Sequence, residues 1–390
     1  MTLKERDDKS VLHTYARKDT AFERGEGAKL YDTAGKEYID FASGIGVNSV
    51  GHNNPKLVAA IAEQAGKIIH SSNLYLIEPQ IKLAEKLIAL CGSDARVFFS
   101  NSGAEANECA IKLARKWGEK SGKYKIITLN NSFHGRTIAT LKATAQPKFH
   151  EHFSPFPDGF IYAKDLADIE NKIDDQTAAI MLEPIRGEGG VEPLDFDDLR
   201  ALDLMLKKRG ILLIADEIQC GVFRSGQFTA SQVYGIKPEI ITFAKGLAGG
   251  VPIGAAVTTL KDVFVYGDHG STFGGNFLST AAALAALDIL SEIYSDGTLA
   301  KTIEDFSKSL NLIAAEFPKL FTRISGMGLM VSIVAKTPEI QKQILDAAHE
   351  NGVLVLRAGS DHIRFLPPLT ISKEEIDEGF SRLRQACKTL

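Results

Sequence analysis

The most constraining feature of the sequence is a pair of apolar runs that each end in a charged residue. The run 211–215 ends at Asp216, and the run 240–244 ends at Lys245. Such runs predict strands that are buried on both faces. A charge directly after a buried strand is costly unless it has a function or a route to water. Both charges are therefore candidates for the crevice at the carboxyl ends of the strands, where open α/β sheets bind ligands.

An amine and a carboxylate at one edge of a sheet suit pyridoxal 5′-phosphate (PLP). A lysine can form an imine with the aldehyde of this cofactor, and a carboxylate can keep its pyridine nitrogen protonated. The sequence therefore predicts Lys245 and Asp216 as catalytic residues around PLP.

The composition is that of an ordinary globular protein. The chain has 390 residues, 44% of them hydrophobic and 24% charged, which allows one large and one smaller domain. A net charge of −4, with acids and bases interspersed, argues against nucleic-acid and membrane partners. The first ten residues contain no signal-peptide core, and we expect the longest apolar run, 280–287, to be too short to span a bilayer.

The cysteines show neither CxxC spacing nor a metal-binding pattern with histidine. They are Cys91, Cys109, Cys220 and Cys387. This usage favours reduced thiols in a cytoplasmic protein and predicts no metal site.

Hydrophobic periodicity predicts an α/β fold in which a large domain has a mostly parallel central sheet flanked by helices. The predicted strands of this domain, besides those that end at Asp216 and Lys245, are 96–100, 124–129 and 178–182. The predicted helices are 56–66, 78–90, 198–209, 277–295 and 298–316. The glycine-rich stretch 246–254 is expected to be irregular.

A hairpin at 28–41 and the last hundred residues predict a smaller α+β domain. Its expected elements are strands at 323–335, 353–356 and 362–369 and a final helix at 372–390. We therefore predict an N-terminal segment at 1–50 that belongs to the small domain, a large PLP-binding domain at 51–290, and a C-terminal small domain at 291–390.

The turn after the strand 96–100 is a candidate anion site. Ser102, Gly103 and Ala104 lie between this strand and a helical stripe. Backbone N–H groups at a helix N-terminus can bind a phosphate, and small residues allow its close approach. A plain tight turn explains the same residues equally well.

Other candidate residues follow the remaining strands and glycine-rich loops. Phe133 can stack on a flat heterocycle and Arg136 can bind a carboxylate, although a core phenylalanine and a surface arginine are the simpler reading of these two alone. Glu183 and Glu188 lie in a glycine-rich loop at the end of the strand 178–182, as solvated charges or as site residues. Ser271 and Thr272 are hydroxyls flanked by glycine, which suit an anion or a turn.

Taken in order, these motifs resemble class-III aminotransferases, which are fold-type I PLP enzymes. The resemblance extends from about Tyr15 to Leu369. The motifs that carry it are N-S-G-A-E-A-N-E at 101–108, F-H-G-R-T at 133–137, E-P and G-E-G-G within 183–190, D-E-I-Q-C-G at 216–221, A-K-G at 244–246 and S-T-F-G-G-N at 271–276. G-I-G-V-N with G-H at 44–52 and H-S-S-N-L-Y at 70–75 are similar to the acetylornithine aminotransferase branch.

The resemblance implies how the cofactor is bound. Lys245 would hold PLP covalently and be the base for the Cα proton, and Asp216 would pair with the pyridine nitrogen. Phe133 would stack on the ring, and Gln219 would contact the 3-hydroxyl. The implied phosphate contacts are Ser102, Gly103, Ala104 and, from the partner subunit of a homodimer, Thr272.

The resemblance also implies substrate contacts. Arg136 would bind the substrate α-carboxylate, and Ser271 would be a further contact. Glu188 and Arg364 match positions that form a switchable ion pair in ornithine and 4-aminobutyrate relatives. A static salt bridge between the domains is the alternative for this pair.

The implied reaction is ping-pong transfer of the terminal amino group between N2-acetylornithine and 2-oxoglutarate or glutamate, a step of arginine biosynthesis. Ornithine, succinylornithine, succinyl-diaminopimelate and 4-aminobutyrate are the alternative donors. Asp19 and Arg186 stand where the family pattern has proline and glutamine, and Arg186 bears on the choice of substrate because it lies beside the glycine-rich loop.

Two other protein classes fit less well. A dehydrogenase or nucleotide-binding protein would need G-x-G-x-x-G directly after a strand with an acid about 20 residues later, and the sequence has no such fingerprint. A non-catalytic protein that retains the fold would be expected to lose the lysine, whereas Lys245 is present.

Overall fold

The computed structural model describes residues 1–390. The helices are α1 (Leu3–Ser10), α2 (Ser43–Gly46), α3 (Pro55–Ala65), α4 (Glu78–Cys91), α5 (Gly103–Gly118), α6 (Ile138–Ala143), α7 (Leu166–Lys172), α8 (Phe196–Arg209), α9 (Ala230–Tyr234), α10 (Phe277–Ser295), α11 (Thr298–Glu316), α12 (Pro338–Glu350) and α13 (Lys373–Lys388). The strands are β1 (Phe22–Glu26), β2 (Lys29–Asp32), β3 (Glu37–Asp40), β4 (Arg96–Ser100), β5 (Lys125–Leu129), β6 (Phe160–Ala163), β7 (Thr177–Leu182), β8 (Ile185–Arg186), β9 (Glu192–Pro193), β10 (Leu212–Asp216), β11 (Ile240–Phe243), β12 (Gly254–Thr258), β13 (Phe321–Met327), β14 (Met330–Ala335), β15 (Val353–Leu354), β16 (Leu356–Ala358) and β17 (His362–Phe365).

A seven-stranded sheet forms the centre of the molecule, in the order β4-β12-β11-β10-β7-β5-β6. Only β12 runs antiparallel to its neighbours, so the predicted α/β fold with a mostly parallel sheet is confirmed. Every residue of β7, β10 and β11 is buried, which explains why these strands are unbroken apolar runs in the sequence.

The register of the two central strands brings the predicted catalytic residues to one edge. β10 and β11 are parallel neighbours, and Asp216 is directly opposite Thr242. Lys245 follows three residues after Thr242. The carboxylate and the amine therefore emerge at the carboxyl edge of the same sheet, as expected from the two charged strand ends.

The N- and C-terminal parts of the chain are built together. β3 pairs in parallel with β15 to complete a four-stranded sheet, and a second four-stranded sheet has the order β13-β14-β17-β16. Phe41 packs between the termini, with ring centroids 5.1 Å from Phe306 and 5.2 Å from Phe380. This pairing agrees with a small domain drawn from both ends of the chain, and the boundaries at residues 50 and 290 stay a prediction.

Two expectations about local structure need correction. The stretch expected as one strand at 323–335 is a hairpin, because Gly328 turns the chain at a φ of 61° between β13 and β14. The glycine-rich stretch 246–254 ends in regular structure, because Gly254 begins β12. A Cβ at Gly254 would lie 2.2 Å from the backbone oxygen of Ser102, so this glycine allows β12 to pass close to the turn before α5.

One helix corrects the expectation that no segment is long enough to cross a bilayer. By length and composition alone, α10 could span a membrane. In the structure it packs against α3 and α4. Its small and aliphatic residues, such as Ala283, Ala286 and Leu290, are buried in the main hydrophobic core, as in the core helix of a globular protein.

Candidate active site

A cavity of about 410 Å³ opens at the carboxyl ends of the central strands. A cavity of this size is typical of small-molecule sites. The residues predicted from the sequence that line it are Ser102, Gly103, Ala104, Phe133, Arg136, Asp216, Gln219 and Lys245. The structure therefore gathers, in one place, residues that are up to 143 positions apart in the chain.

Asp216 is buried, and three donors fix its carboxylate. Oδ2 accepts from Nδ2 of Asn107 at 2.7 Å and from Nδ1 of His134 at 2.8 Å. Oδ1 accepts from the backbone N–H of Ile218 at 3.1 Å. Asn107 is fixed in turn, because its Oδ1 accepts from the Thr242 hydroxyl at 2.8 Å. The network leaves the carboxylate a single orientation at the wall of the cavity.

Sequence reasoning assigns no site role to Asn107 and favours a structural role for His134. The structure buries both beside Asp216, and His134 Nε2 has no hydrogen-bond partner. Asn107 is four residues after Gly103 on α5, so it lies on the same helix face as the candidate phosphate turn. This helical spacing is the signal that could have identified it.

Lys245 lies where β11 ends, in a strained conformation. Its φ of 30° falls in the left-handed region, which is uncommon for a residue with a side chain and is often found at functional sites. Burial lowers the pKa of its amine, although the negative charges of Asp216 and Glu188 oppose this effect. A lowered pKa makes the neutral, nucleophilic form of the amine more accessible near neutral pH.

The N-terminus of α5 forms another wall of the cavity. Ser102 caps the helix, since its hydroxyl accepts from the backbone N–H of Glu105 at 3.2 Å. A Cβ on Gly103 would lie 2.8 Å from Cδ1 of Ile218, so only glycine lets the helix start this close to the strand that carries Asp216. The small residues and the free N–H groups of the first turn suit an anion.

A second group of polar residues surrounds Arg364, which is buried on β17. Its Nη1 donates to Oε1 of Glu188 at 2.7 Å and to Oε1 of Gln219 at 3.0 Å, while its buried Nε has no partner. A Cβ on Gly187 would lie 2.4 Å from Oε1 of Gln219, so a larger residue here would displace the Gln219 side chain from this contact. Gln219 also lines the cavity, which brings the Glu188–Arg364 pair to the edge of the site.

Arg136 lines the outer part of the cavity and is exposed. Its guanidinium carbon lies 4.1 Å from the ring centroid of Phe149 and 5.5 Å from that of Phe133. Stacking against two rings orients the guanidinium while leaving its N–H groups free for an anion.

Comparison with known proteins identifies the family. Residues 13–387 match the family described as Aminotransferase class-III. The chain is a class-III aminotransferase. The predicted resemblance is confirmed, and with it the dependence on PLP that this family has.

The names of individual relatives of this aminotransferase refer to related amino acids. Acetylornithine aminotransferase of Wolinella succinogenes is 58% identical over 386 residues, which cover 98% of each chain. Succinylornithine transaminase of Yersinia pestis is 43% identical over 96% of this chain and 94% of that protein. A structure of the ornithine aminotransferase of Toxoplasma gondii, described as having partial occupancy of PLP at its active site, superposes with a TM-score of 0.92 at 31% identity over 99% of this chain and 94% of that one.

The residues that line the aminotransferase cavity fit PLP. The cavity offers an amine for the aldehyde, a fixed carboxylate for the ring nitrogen, and a helix N-terminus of small residues for the phosphate. Phe133 adds an aromatic ring to the same wall. The chemistry of each group matches one part of the cofactor.

Four predicted residues do not line this cavity: Glu188 and Arg364 at its edge, and Ser271 and Thr272 beside it. Ser271 and Thr272 line a neighbouring depression of about 330 Å³, and Thr272 is exposed. Oγ of Ser271 accepts from Nδ2 of Asn101 at 3.1 Å, and Asn101 borders both the cavity and the depression. Within one chain, therefore, Thr272 does not line the cavity that contains the start of α5.

The two departures from the family pattern also lie outside the cavity. Asp19 is exposed in the N-terminal segment. Arg186 is half-buried on β8, directly before the 187–190 loop, and its buried Nε has no hydrogen-bond partner. Neither side chain lines the aminotransferase cavity.

Glu217, next to Asp216, is a buried acid that points away from the site. Its oxygens accept from the backbone N–H groups of Ala230 at 2.6 Å and Ser231 at 2.8 Å, and from the Ser231 hydroxyl at 2.6 Å. Burial raises its pKa from 4.5 to about 7, and these hydrogen bonds oppose the rise. Glu217 does not line the cavity, so it is a structural residue that holds the start of α9.

Glu217 should make the protein less stable as the pH rises from about 4.5 to about 7. The folded state binds this proton more tightly than the unfolded chain, so its contribution is complete below pH 4.5 and is lost through pH 7. Relative to Glu217→Gln, the wild-type free energy of unfolding should fall by about 3 kcal/mol over this range. Denaturant titrations at pH 4.5, 6 and 8 measure it, with the exposed Glu151→Gln as control. A difference between wild type and Glu217→Gln that is independent of pH would contradict the prediction.

Proposed function

We propose that this aminotransferase transfers the terminal amino group of N2-acetylornithine to 2-oxoglutarate, as a step of arginine biosynthesis. The observation that carries the proposal is the 58% identity over 98% of both chains to a protein named acetylornithine aminotransferase. The proposal extends to a cytoplasmic location, which the four free cysteines support. Succinylornithine and ornithine are the second candidates, because proteins named for these donors match at 43% and 31% identity.

The residues around the cavity would hold PLP by its three chemically distinct parts. Lys245 would bind its aldehyde, Asp216 its ring nitrogen, and Ser102, Gly103 and Ala104 its phosphate. Phe133 and Gln219 would contact the ring face and the 3-hydroxyl. PLP, when bound, supplies a ring that accepts the charge left when a proton leaves the amine-bearing carbon of the substrate. Asp216, fixed by Asn107 and His134, keeps the ring nitrogen protonated throughout, which this acceptance requires.

Lys245 would move the proton. With PLP and substrate bound, Lys245 would be the base nearest to the amine-bearing carbon. Its lowered pKa, caused by burial, lets it take that proton and return it elsewhere. In the reverse half-reaction the Lys245 amine would move the proton in the opposite direction.

Two arginines would sort the two substrates. Exposed Arg136 would bind the α-carboxylate of acetylornithine at the outer end of the cavity. Arg364, buried and paired with Glu188, would be neutralised for this donor and released for the second carboxylate of 2-oxoglutarate or glutamate. The buried Nε of Arg364 has no hydrogen-bond partner in the protein and is therefore free to donate to a substrate carboxylate, which supports this role.

The first test of the proposal is a panel of amino donors. N2-acetylornithine should give the highest kcat/KM with 2-oxoglutarate, at least about tenfold above ornithine, because acylation removes the positive charge that the α-amine of ornithine would bring beside Arg136. Lys245→Ala should abolish turnover while PLP still binds, because the phosphate and ring contacts come from other residues. Borohydride reduction followed by peptide mapping should find the cofactor on Lys245. A higher kcat/KM with succinylornithine or ornithine would replace the donor, and another labelled lysine would refute the assignment.

The Glu188–Arg364 switch makes a separate prediction. Glu188→Gln should leave Arg364 unmasked and shift the ratio of single-turnover rates about tenfold toward the glutamate and 2-oxoglutarate half-reaction, the size of one charge-assisted hydrogen bond. Glu192→Gln is the matched control, because Glu192 lies four residues later but pairs with Arg323. Equal losses in both half-reactions would mean that the pair is a static salt bridge.

We also propose that the enzyme is a homodimer in which Thr272 completes the phosphate site of the partner subunit. The segments 68–76 and 265–273 together expose large apolar side chains: Ile68, Ile69, Leu74, Tyr75, Leu76, Val265, Tyr266 and Phe273. Asn73 joins the segments, since its Nδ2 donates to the backbone oxygens of Ser271 and Gly274 at 2.9 Å each. Many exposed large apolar side chains on two segments that are bonded to each other are typical of an interface.

Mixing two inactive or weakened variants tests the dimer. Thr272→Ala should raise the dissociation constant of PLP about tenfold by loss of one phosphate hydrogen bond. In a hybrid of Thr272→Ala and Lys245→Ala chains, one site keeps both Lys245 and Thr272. Re-association of the two variants should therefore restore tight PLP binding and turnover at that site. Sedimentation of a fully active monomer would rule out the shared site.

A further inference from the structure

Glu183 is a buried acid at the end of β7 that borders the active-site cavity and forms no ion pair. Each of its oxygens accepts one backbone N–H group. Oε1 accepts from Phe133 at 2.9 Å, and Oε2 accepts from Gly187 at 3.0 Å. One side chain thus bonds to two loops that follow different strands.

These two loops form different parts of the site. The ring wall, residues 133–136, contains Phe133 and Arg136, and the glutamate loop, residues 187–190, carries Glu188. The glutamate loop also packs against the segment that leads into the ring wall, because a Cβ on Gly189 would lie 2.6 Å from the backbone oxygen of Asn131. Glu183 therefore joins, by one hydrogen bond to each, two segments that lie side by side.

A buried acid without a cation partner is expensive, and an apolar side chain of similar size would remove that cost. Burial raises the pKa of Glu183, and the charge of His134 opposes this rise while that of Asp216 adds to it. The backbone N–H groups of Phe133 and Gly187, one from each loop, would be left without this acceptor in an apolar replacement. The positions of these two donors explain why a side chain with two acceptor oxygens is buried here.

We propose that Glu183 is a positioning residue that ties the ring wall to the glutamate loop, so that the wall beside the cofactor and the Glu188–Arg364 pair keep a fixed relation. Loss of either hydrogen bond loosens both loops, since each loop is held against the other. The kinetic consequence, unequal effects on the two half-reactions, rests on the proposed function. The structural consequence does not.

Two variants of Glu183 separate this role from that of an ordinary buried acid. Glu183→Gln keeps the shape but offers only one acceptor, so its amide group meets a second N–H donor. Glu183→Asp keeps the carboxylate but is one methylene shorter, so it cannot span both N–H groups. If Glu183→Gln does not fold, Glu183→Asp still tests the proposal.

Glu217→Gln is the matched control. Glu217 is also buried, bonds to two backbone N–H groups and has a raised pKa, but it lies outside the cavity. Any effect of placing an amide in a buried acid site should appear in both variants. Effects on the ring wall and the glutamate loop should appear only in the Glu183 variants.

Hydrogen exchange measured by mass spectrometry on the holoenzyme is the first readout. Peptides that cover 131–136 and 185–190 should both exchange about tenfold faster in Glu183→Gln and Glu183→Asp than in Glu217→Gln, as expected when one hydrogen bond is lost from each connected loop.

The second readout is PLP binding to the apoprotein by fluorescence titration. Its dissociation constant should rise about tenfold in the Glu183 variants and stay within about twofold of wild type in Glu217→Gln.

The outcomes distinguish the ideas. Faster exchange in only one of the two peptides, or equal changes in the Glu183 and Glu217 variants, would overturn the role of Glu183. Failure of the wild-type enzyme to use N2-acetylornithine would overturn the proposed donor and leave the exchange and PLP results unaffected, because neither measurement uses a substrate.

Discussion

The site depends on how a single buried carboxylate is held. Asp216 ends β10, and its donors come from α5, from the loop after β5 and from the main chain after β10 itself. A charge in the centre of a sheet is stable only if such donors are fixed, because water cannot reorganise around it. The cofactor site is therefore complete only when α5 and the ring wall are packed against the sheet.

The remainder of the site comes from the contact between the large domain and the C-terminal sheets. Arg364 is on β17, yet it bonds to Glu188 and Gln219, which follow β7 and β10. Its backbone neighbours lie in a four-stranded sheet that the large domain does not share. A change in the position of β17 relative to the central sheet would alter this contact. Under the proposed role of the Glu188–Arg364 pair, it would therefore also alter substrate choice.

The cavity wall contains two acids, Asp216 and Glu183, and they behave differently. Asp216 has donors on both oxygens, including side chains that belong to a buried network, whereas Glu183 has only backbone donors and no cation. Desolvation is therefore better compensated at Asp216 than at Glu183, whose pKa burial raises. The two carboxylates are suited to different tasks, one to hold charge and the other to hold loops.

Much of the fold and part of the site were available from the sequence. Unbroken apolar runs identified β7, β10 and β11, and periodicity gave α10 and α11 at their observed bounds. The charged strand ends identified Asp216 and Lys245, because parallel strands bring their carboxyl ends to one edge. The hairpin at Gly328 and the start of β12 at Gly254 were missed, since glycine signals a break without indicating whether the chain then pairs.

What the sequence by itself determined is the chemistry: an amine, a carboxylate, small residues before a helix, and a family pattern that joins them. What only the tertiary structure decided is which side chains share a hydrogen bond. Asn107 and His134 have unremarkable local sequence signals, and their roles arise from hydrogen bonds across 109 and 82 positions of the chain. Glu183 is marked by its place directly after the apolar run 178–182, but one of the loops it bonds is 50 positions away, and only the fold shows that bond. Local periodicity reports which face of an element is buried, but hydrogen bonds between elements depend on how those faces are packed, and that is a property of the whole fold.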